Sequence, residues 1–579
     1  MGGIARRGAS WRLMGGASTL AVALFLAPGV ASAQVVPGQT REEIDPARQA
    51  RPLAAPVVDP TTLYQPGQCP FTGQGRTTLT RIEAQGASLI SDAEIQNAVA
   101  DLIGKDSDLS VLCVARDRVA ALYGAEGEAL VRVDLPQQRM TGGVLVIAVT
   151  EGRVVSASVI DADKLGPAAA IAADYLGALE TKRATRWREV ERAFLLVRDI
   201  PGADPSFSIR RAETGEANGL EAVAAFAPRR KLDVTLSGQN FGSEEVGREG
   251  ASIRLDANSF TAFAERTSLI LFSGLEGDQR VVQLLEEFRI GASGLTVLGD
   301  VAYSESEPGG ALAPLELEGR STVSRLGVQY PVVLTRPLRM DVGARLEWVD
   351  QKNDLGAFRQ PNGDATALFE ESLRVLSAEV VATWRPRQTP GLQGGFQAEL
   401  RKGLEAFGAS EAGDPLLSRP EGRPDFTSVR GQASIRKDVV LSPGRGLYAA
   451  AALLGQWAPD PLPAYEEFQV GSYTVGRGFD PGAASGDRAL ATQIEAGWEA
   501  ASAQAVWTVF GFVDAAKLWN QDAFGYDSRP WSVGAGVRAR TRRGQVSLVY
   551  AAPQNAPFPG AVRPKDRLLL SLSTTFSFR

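Results

Sequence analysis

The sequence predicts a transmembrane antiparallel β-barrel of about sixteen strands, preceded by two small α+β units. Three observations carry this prediction: an export signal at the start, no later stretch long and apolar enough for a spanning helix, and a second half built from alternating segments. Arg6, Arg7 and Arg12 give a basic start, Ala17 to Leu26 an apolar run, and Ala31-Ser32-Ala33 a small-residue cleavage site. Residues 1–33 therefore read as a signal peptide, with the mature chain starting at Gln34. Beyond it nothing approaches the roughly 20 apolar residues that a membrane helix requires. Dilution of apolar by polar positions, with a mean hydropathy of −0.08, fits a soluble chain or a barrel equally.

The charge balance narrows the function. A formal net charge of −6 without an extended basic stretch argues against nucleic acid as a partner. Histidine is absent, which removes the commonest general base and the commonest zinc ligand together. No catalytic residue, metal or cofactor is expected. The only two cysteines, Cys69 and Cys113, lie in an exported chain, where a disulfide between them is the default reading.

Residues 34–68 are rich in Pro, Gln, Arg and Ala and read as a linker. Thr40 and Glu43 make a capping box for one short helix, and Pro46 stops or kinks it. The first α+β unit covers 69–152. It has a strand over 78–88, a helix opened by Ser91 and Glu94, a second helix with Leu112, Ala115, Val119 and Leu122 in register, then strands 129–134 and 143–150. The second unit, 153–229, repeats the order, with a strand at 153–162, helices over 166–180 and around Val190, Phe194 and Val197, and strands 204–213 and 219–228. Periodicity alone would equally suit an ordinary soluble α+β domain.

From about residue 230 to 579 helical periodicity gives way to alternation. Leu232, Val234 and Leu236 alternate with Asp233, Thr235 and Ser237, and Trp531, Val533, Ala535 and Val537 with Ser532, Gly534, Gly536 and Arg538. Arg345 and Glu347 face away from Ala344, Leu346 and Trp348. The last segment sets Leu568, Leu570, Leu572, Phe576 and Phe578 on one face. Segments begin near 230, 249, 267, 280, 294, 320, 338, 374, 391, 426, 445, 488, 504, 529, 544 and 567. A soluble sandwich also alternates but rarely needs so many strands of this length. Connections near 305–319, 350–373, 404–425 and 459–487 are expected as extracellular loops.

The stretch Tyr473 to Gly482 lies in the long loop after the eleventh segment and contains Val475, Gly476, Arg477, Gly478, Phe479 and Asp480. Glycines let this backbone approach a wall while the guanidinium projects as a fixed fork of donors. It calls for a carboxylate, and Asp514 in the thirteenth segment is the candidate. Asp514 is expected to point into the lumen, with Phe512 toward lipid. Standing alone, Arg-Gly-Phe reads better as a solvated loop arginine beside flexible glycines.

The Arg-Gly-Phe loop after the eleventh strand and the Phe-x-Asp of the thirteenth resemble the signature elements of two-partner secretion transporters, barrels that carry POTRA domains. Tyr123-x-x-x-Gly127, Leu135-Pro136-Gln137-Gln138 and Gly142 to Gly152 look like the end of a first POTRA domain. Glu191-Arg192-Ala193-Phe194-Leu195-Leu196 with Asp199-Ile200-Pro201-Gly202 looks like a second. The resemblance spans about residues 69–579 and implies capture of an unfolded exoprotein in the periplasm and its passage outward, with Arg477 paired to Asp514 inside the pore. It implies a bacterial outer-membrane location, lipid around the barrel, the barrel-assembly machinery for insertion, a monomer, residues 40–50 as the candidate for a helix that plugs the pore, and an adhesin, haemolysin or contact-inhibition protein as cargo. Three departures stand out: Gly476 between Val475 and Arg477, Ala515-Ala516 after Asp514, and Arg579 after Phe578. An insertase of the same superfamily, a porin or receptor barrel, and least of all a barrel enzyme are the rival readings.

Overall fold

The computed structural model describes residues 41–45, 69–73, 75–522 and 525–579. The signal peptide expected over 1–33 and most of the linker at 34–68 lie outside them. Among the described residues, no helix is long and apolar enough to cross a membrane.

The membrane is crossed by strands. Sixteen of them close an antiparallel barrel: β1 (Leu232–Gln239), β2 (Gly250–Asn258), β3 (Arg266–Gly274), β4 (Gln279–Ile290), β5 (Leu295–Ser306), β6 (Leu317–Leu334), β7 (Leu338–Arg359), β8 (Ala365–Trp384), β9 (Leu392–Gly403), β10 (Thr427–Ser442), β11 (Arg445–Trp457), β12 (Arg488–Ala501), β13 (Ala505–Trp519), β14 (Trp531–Thr541), β15 (Gly544–Pro553) and β16 (Arg567–Phe578). Closure gives every strand two neighbours, the condition for backbone to survive in lipid. The alternation sorts by face as the period of two demands. On β16, Leu568, Leu570, Leu572, Phe576 and Phe578 are exposed outward, whereas Leu569 is buried against the lumen side. On β7, Glu347 points inward and is buried.

One expected loop is absent. Residues 350–373 are mostly strand: β7 runs on to Arg359 and β8 starts at Ala365, leaving a turn at 360–364. This hairpin continues beyond the lipid, where no apolar outer face is imposed, so the alternation that marks the other strands is missing there. The connections at 404–426 and 458–487 are long, and the second carries a small ladder of Phe468–Val470 with Ala484–Gly486.

Before the barrel stand two three-stranded sheets with helices on one side. In the first, Val144–Glu151 lies between Arg81–Gln85, parallel to it, and Val131–Asp134, antiparallel. The expected strand at 78–88 is divided: Arg76–Thr78 leaves to pair with Asp106–Asp108. Helix Asp92–Val99 opens on the Ser91–Glu94 capping box and helix Val111–Ala125 follows. Ile82, Leu145 and Ile147 pack against Ile95, Val99, Val119 and Tyr123. Cys69 and Cys113 are joined as a disulfide across a separation of 44 residues, tying the linker end to the second helix.

The second sheet is Arg153–Ile160, Gly219–Phe226 and Pro205–Arg211, in that order. Gly166 and Pro167 form a single tight turn, so the helix expected at 166–180 begins only at Ala169. Helix Trp187–Arg198 buries Val190, Phe194 and Val197, and Phe194 stacks on Phe207 at 4.4 Å.

Candidate functional site

The lumen is occupied by protein. The connection between β11 and β12 turns inward, and its tip, Tyr473 to Gly482, lies against the inner wall. Two glycines make this approach. Gly476 has φ +101°, and a Cβ there would come within 2.8 Å of Val470. Gly478 lies so close to the wall that a Cβ would meet the Pro553 nitrogen and the Ser532 Cβ, both at 2.8 Å. On either side of them Val475 and Phe479 are fully buried with Val470, Ala491 and Leu518. The intervening Gly476 therefore serves a turn, closed by Phe479 N–H donating to the Gly476 carbonyl at 2.9 Å.

Arg477 is held by its side chain and its backbone. Its Nε and Nη2 donate to the two oxygens of Asp514 at 2.9 and 2.7 Å, and its own N–H donates to Asp514 at 3.0 Å. Nη1 donates to Glu495 on β12 at 2.9 Å. Glu495 is shared with Tyr448, whose hydroxyl donates at 2.7 Å, and with Arg538 at 3.6 Å. Asp514 is fully buried. Breaking a buried, hydrogen-bonded pair of this kind on one side costs about 3–5 kcal/mol. Phe512 does not face lipid. It is 5% exposed, and the Arg477 guanidinium lies 3.5 Å above its ring centroid. Positions two apart on a strand share a face, so Phe512 and Asp514 both point inward. The aromatic thus forms the floor of the arginine site and adds a cation–π contact.

A second segment also occupies the lumen. Residues 41–44 form a short helix, and Ile44 is buried among Val323, Val349, Leu373 and Val375. Asp45 pairs with Arg325 at 2.6 Å and accepts from the Gln283 amide at 2.8 Å. Arg41 lies 5.6 Å from the Tyr465 ring and 3.9 Å from Glu347. Between helix and loop runs a buried charge network. Arg401, fully buried, pairs with Glu466 at 2.7 Å, Glu399 at 2.9 Å and Glu347 at 3.2 Å. Arg419 pairs with Asp487 at 2.7 Å, Asp522 at 2.8 Å and Glu467 at 3.0 Å. Sequence reading missed both arginines: Arg401 on β9 looks like any inward polar residue of a strand, and Arg419 like any charge of the long 404–426 connection. The one available signal was the position of Arg401 at the end of an alternating segment beside a long connection.

The motif residues before the barrel have structural tasks. Leu135 packs on the first core, and the Gln138 amide donates to the Val146 carbonyl at 2.6 Å and accepts from the Val146 N–H at 2.8 Å. It thereby continues the ladder where Val131–Asp134 ends, with Pro136 in the bend between. Gly152 sits where the two units meet; a Cβ there would lie 2.6 Å from Leu220. Beside it, burial alone would raise the Glu151 carboxyl. The Ser88 hydroxyl, the Leu89 and Ser88 N–H groups and the Tyr123 hydroxyl outweigh burial and hold it below the ordinary carboxylate range.

Arg192, Leu195, Leu196, Pro201 and Gly202 lie where the second unit meets the barrel. Leu195 and Leu196 are buried in its core, Arg192 donates to the Ser293 carbonyl at 3.0 Å, and the Pro201 carbonyl accepts from Ser259 at 2.7 Å. Gly202, with φ +72°, accepts from the Arg230 N–H at 2.9 Å. Asp199 pairs with Arg339 at the start of β7.

A closed barrel of sixteen strands, α+β units ahead of it and a loop arginine clamped inside the lumen define an outer-membrane POTRA-barrel protein. The family model described as haemolysin secretion/activation protein ShlB/FhaC/HecB matches residues 225–539, more than half of the 579, and the chain belongs to that family. A ShlB-type POTRA domain matches residues 77–152. Two curated relatives, the outer membrane transporter CdiB of Escherichia coli and that of its strain 536, are each 23% identical and cover 94% of this chain and 89% of their own length. The solved structure of CdiB from Escherichia coli superposes with a TM-score of 0.72 at 17% identity, covering 89% of this chain and 94% of that one. CdiB from Acinetobacter baumannii gives 0.63 at 15% identity, covering 92% and 95%. The protein is a two-partner secretion transporter of the outer membrane with its POTRA domains in the periplasm. The match favours neither the insertase nor the porin reading.

Proposed function

We propose that the structure is the resting state of this transporter, closed by the Arg477 loop and the Arg41–Asp45 helix, and that both leave the lumen for an unfolded exoprotein to pass. The observation that carries this reading is the Arg477–Asp514 clamp, in which a loop from the extracellular side is bonded to the inner wall at three points. The exoprotein is an adhesin, haemolysin or contact-inhibition protein, in keeping with the secretion family to which the chain belongs. The POTRA units take it up by strand addition at a sheet edge and by apolar contacts in the groove beside each second helix. Passage uses no catalysis and no cofactor; folding outside the cell draws the chain outward. The transporter acts as a monomer, delivered by the barrel-assembly machinery through the aromatic end of β16. Arg477→Ala and Asp514→Ala are expected to reach the outer membrane at normal levels yet secrete little cargo. Normal secretion by both would refute the role given to the clamp.

A further inference from the structure

The barrel closes where β16 meets β1, in register from Phe578 opposite Leu232 to Ser571 opposite Gln239. That ladder covers only the periplasmic part of the seam. Toward the outside β16 continues through Leu570, Leu568 and Arg567, but β1 has ended. One more backbone bond follows, from the Asn240 N–H to the Leu570 carbonyl at 3.2 Å, and beyond it side chains replace the ladder. Asn240 accepts from the Leu570 N–H at 2.7 Å and donates to the Leu568 carbonyl at 2.9 Å. Arg567 reaches across from β16 to the Gly242 carbonyl at 3.0 Å and the Phe241 carbonyl at 3.3 Å.

The pore loop binds both sides of this ladderless stretch. On the β1 side Ser472 donates to the Phe241 carbonyl at 2.6 Å, and the Tyr473 hydroxyl accepts from Gln239 at 2.8 Å. On the β16 side the Phe479 carbonyl accepts from Arg567 at 2.6 Å. Asp480 joins the two: its carboxylate lies 2.8 Å from Arg248, in the β1–β2 connection, and 2.9 Å from Arg567. Arg567 is 8% exposed, so its charge depends on protein partners for compensation. We propose that Asp480 makes the pore loop the clasp of the barrel seam: the extracellular end of the β1–β16 junction is held shut only while the loop is seated. Asp480 is a positioning residue in this role. When the loop withdraws, Arg567 and Arg248 lose the carboxylate that spans them, and the outer end of the seam is left on Asn240 and the two carbonyl contacts of Arg567. Emptying the lumen and loosening its wall are then one event, which widens the passage at its outer end.

The test uses the full chain in lipid nanodiscs without cargo, so its outcome is independent of the secretion reading. Spin labels at Glu249→Cys and Lys565→Cys report the distance across the outer seam; both positions are exposed, and the native cysteines are engaged in their disulfide. Asp480→Asn is expected to shift this distance to longer values and broaden it. A second set carries Thr235→Cys and Thr575→Cys, whose native hydroxyls lie 2.9 Å apart in the ladder, so that an oxidised cross-link keeps the barrel closed below if Asp480→Asn alone does not assemble. In that background too the outer labels should separate. An unchanged distance in Asp480→Asn, in either background, overturns the proposal.

Discussion

Asp45→Ala is the sharpest probe of the lumen helix. A helix of four residues is far below the length that is stable alone in water, so Arg41–Asp45 stays in place only through what it touches. Ordering such a segment costs about 7 kcal/mol of backbone entropy. Burying Ile44 returns about 2–3 kcal/mol, the contacts of Asp45 with Arg325 and Gln283 about 3–5 kcal/mol, and Arg41 over the Tyr465 ring about 1–2 kcal/mol. Cost and gain nearly cancel, so the seated helix is held by a small margin. Removing the Asp45 carboxylate takes away about 3 kcal/mol, a shift of about a hundredfold in the seated population. Arg325 keeps Asp300 at 3.5 Å, which limits the damage to the wall itself. The assay is single-channel recording of the purified protein in planar bilayers. Asp45→Ala should show long-lived high-conductance openings that are rare in the unsubstituted chain. Traces indistinguishable from the unsubstituted chain would refute the reasoning, because the helix would then not depend on its aspartate.

Other perturbations test neighbouring parts. Gly478→Ala introduces a Cβ 2.8 Å from the Pro553 nitrogen and the Ser532 Cβ, so the loop tip must lift; a cysteine placed in the tip should become labelled from outside, and full protection would contradict the fit. Replacing Cys69 and Cys113 by serine frees a separation of 44 residues in the unfolded chain and should lower the stability of the first unit by about 2–4 kcal/mol, read as an earlier thermal transition. Glu151 has a depressed folded-state carboxyl, so its contribution is complete above the ordinary carboxylate value of about 4.3 and is lost as pH falls through the lower folded value. Glu151→Gln should lower the melting temperature of that unit at neutral pH and flatten its acid dependence; equal acid slopes in both proteins would reject the assignment.

What the sequence showed best was whatever repeats. Alternation placed fifteen of the sixteen strand starts within three residues because lipid outside and water inside impose a period of two on each strand. It failed at 350–373 for the same reason, since β7 and β8 leave the lipid there and lose the constraint. Arg477 and Asp514 were legible as a cation and an anion with motif context, and the structure brings them together. Phe512 was assigned to the wrong face, although its spacing of two from Asp514 already fixed their common side. Arg325, Arg401 and Arg419 were out of reach, because their partners come from strands and loops distant in sequence: Arg401 on β9 meets Glu347 on β7 and Glu466 in the β11–β12 connection. Asp480 was read as part of the motif, but its task depends on Arg248 and Arg567, which approach only when the barrel closes.

The lumen network also accounts for why the obstruction is polar. Glu347 receives Arg401 from the wall at 3.2 Å and the Tyr465 hydroxyl from the pore-loop connection at 3.1 Å, with Arg41 of the helix 3.9 Å away. Wall, loop and helix thus meet at one carboxylate. An apolar plug of the same size would be held by buried area, and withdrawing it would expose that area to water at about 25 cal/mol per Å². The bare wall would then bind the apolar side chains of any unfolded polypeptide passing through. Ion pairs behave differently: entering water can solvate both partners as they separate, and a hydrated, charged wall offers little adhesion to a chain in transit. The same contacts that fix one closed arrangement while loop and helix fill the lumen are therefore weakened by the water that opening admits. This combination of a specific closed state and a non-adhesive open one suits a pore for unfolded protein better than a tighter hydrophobic seal would.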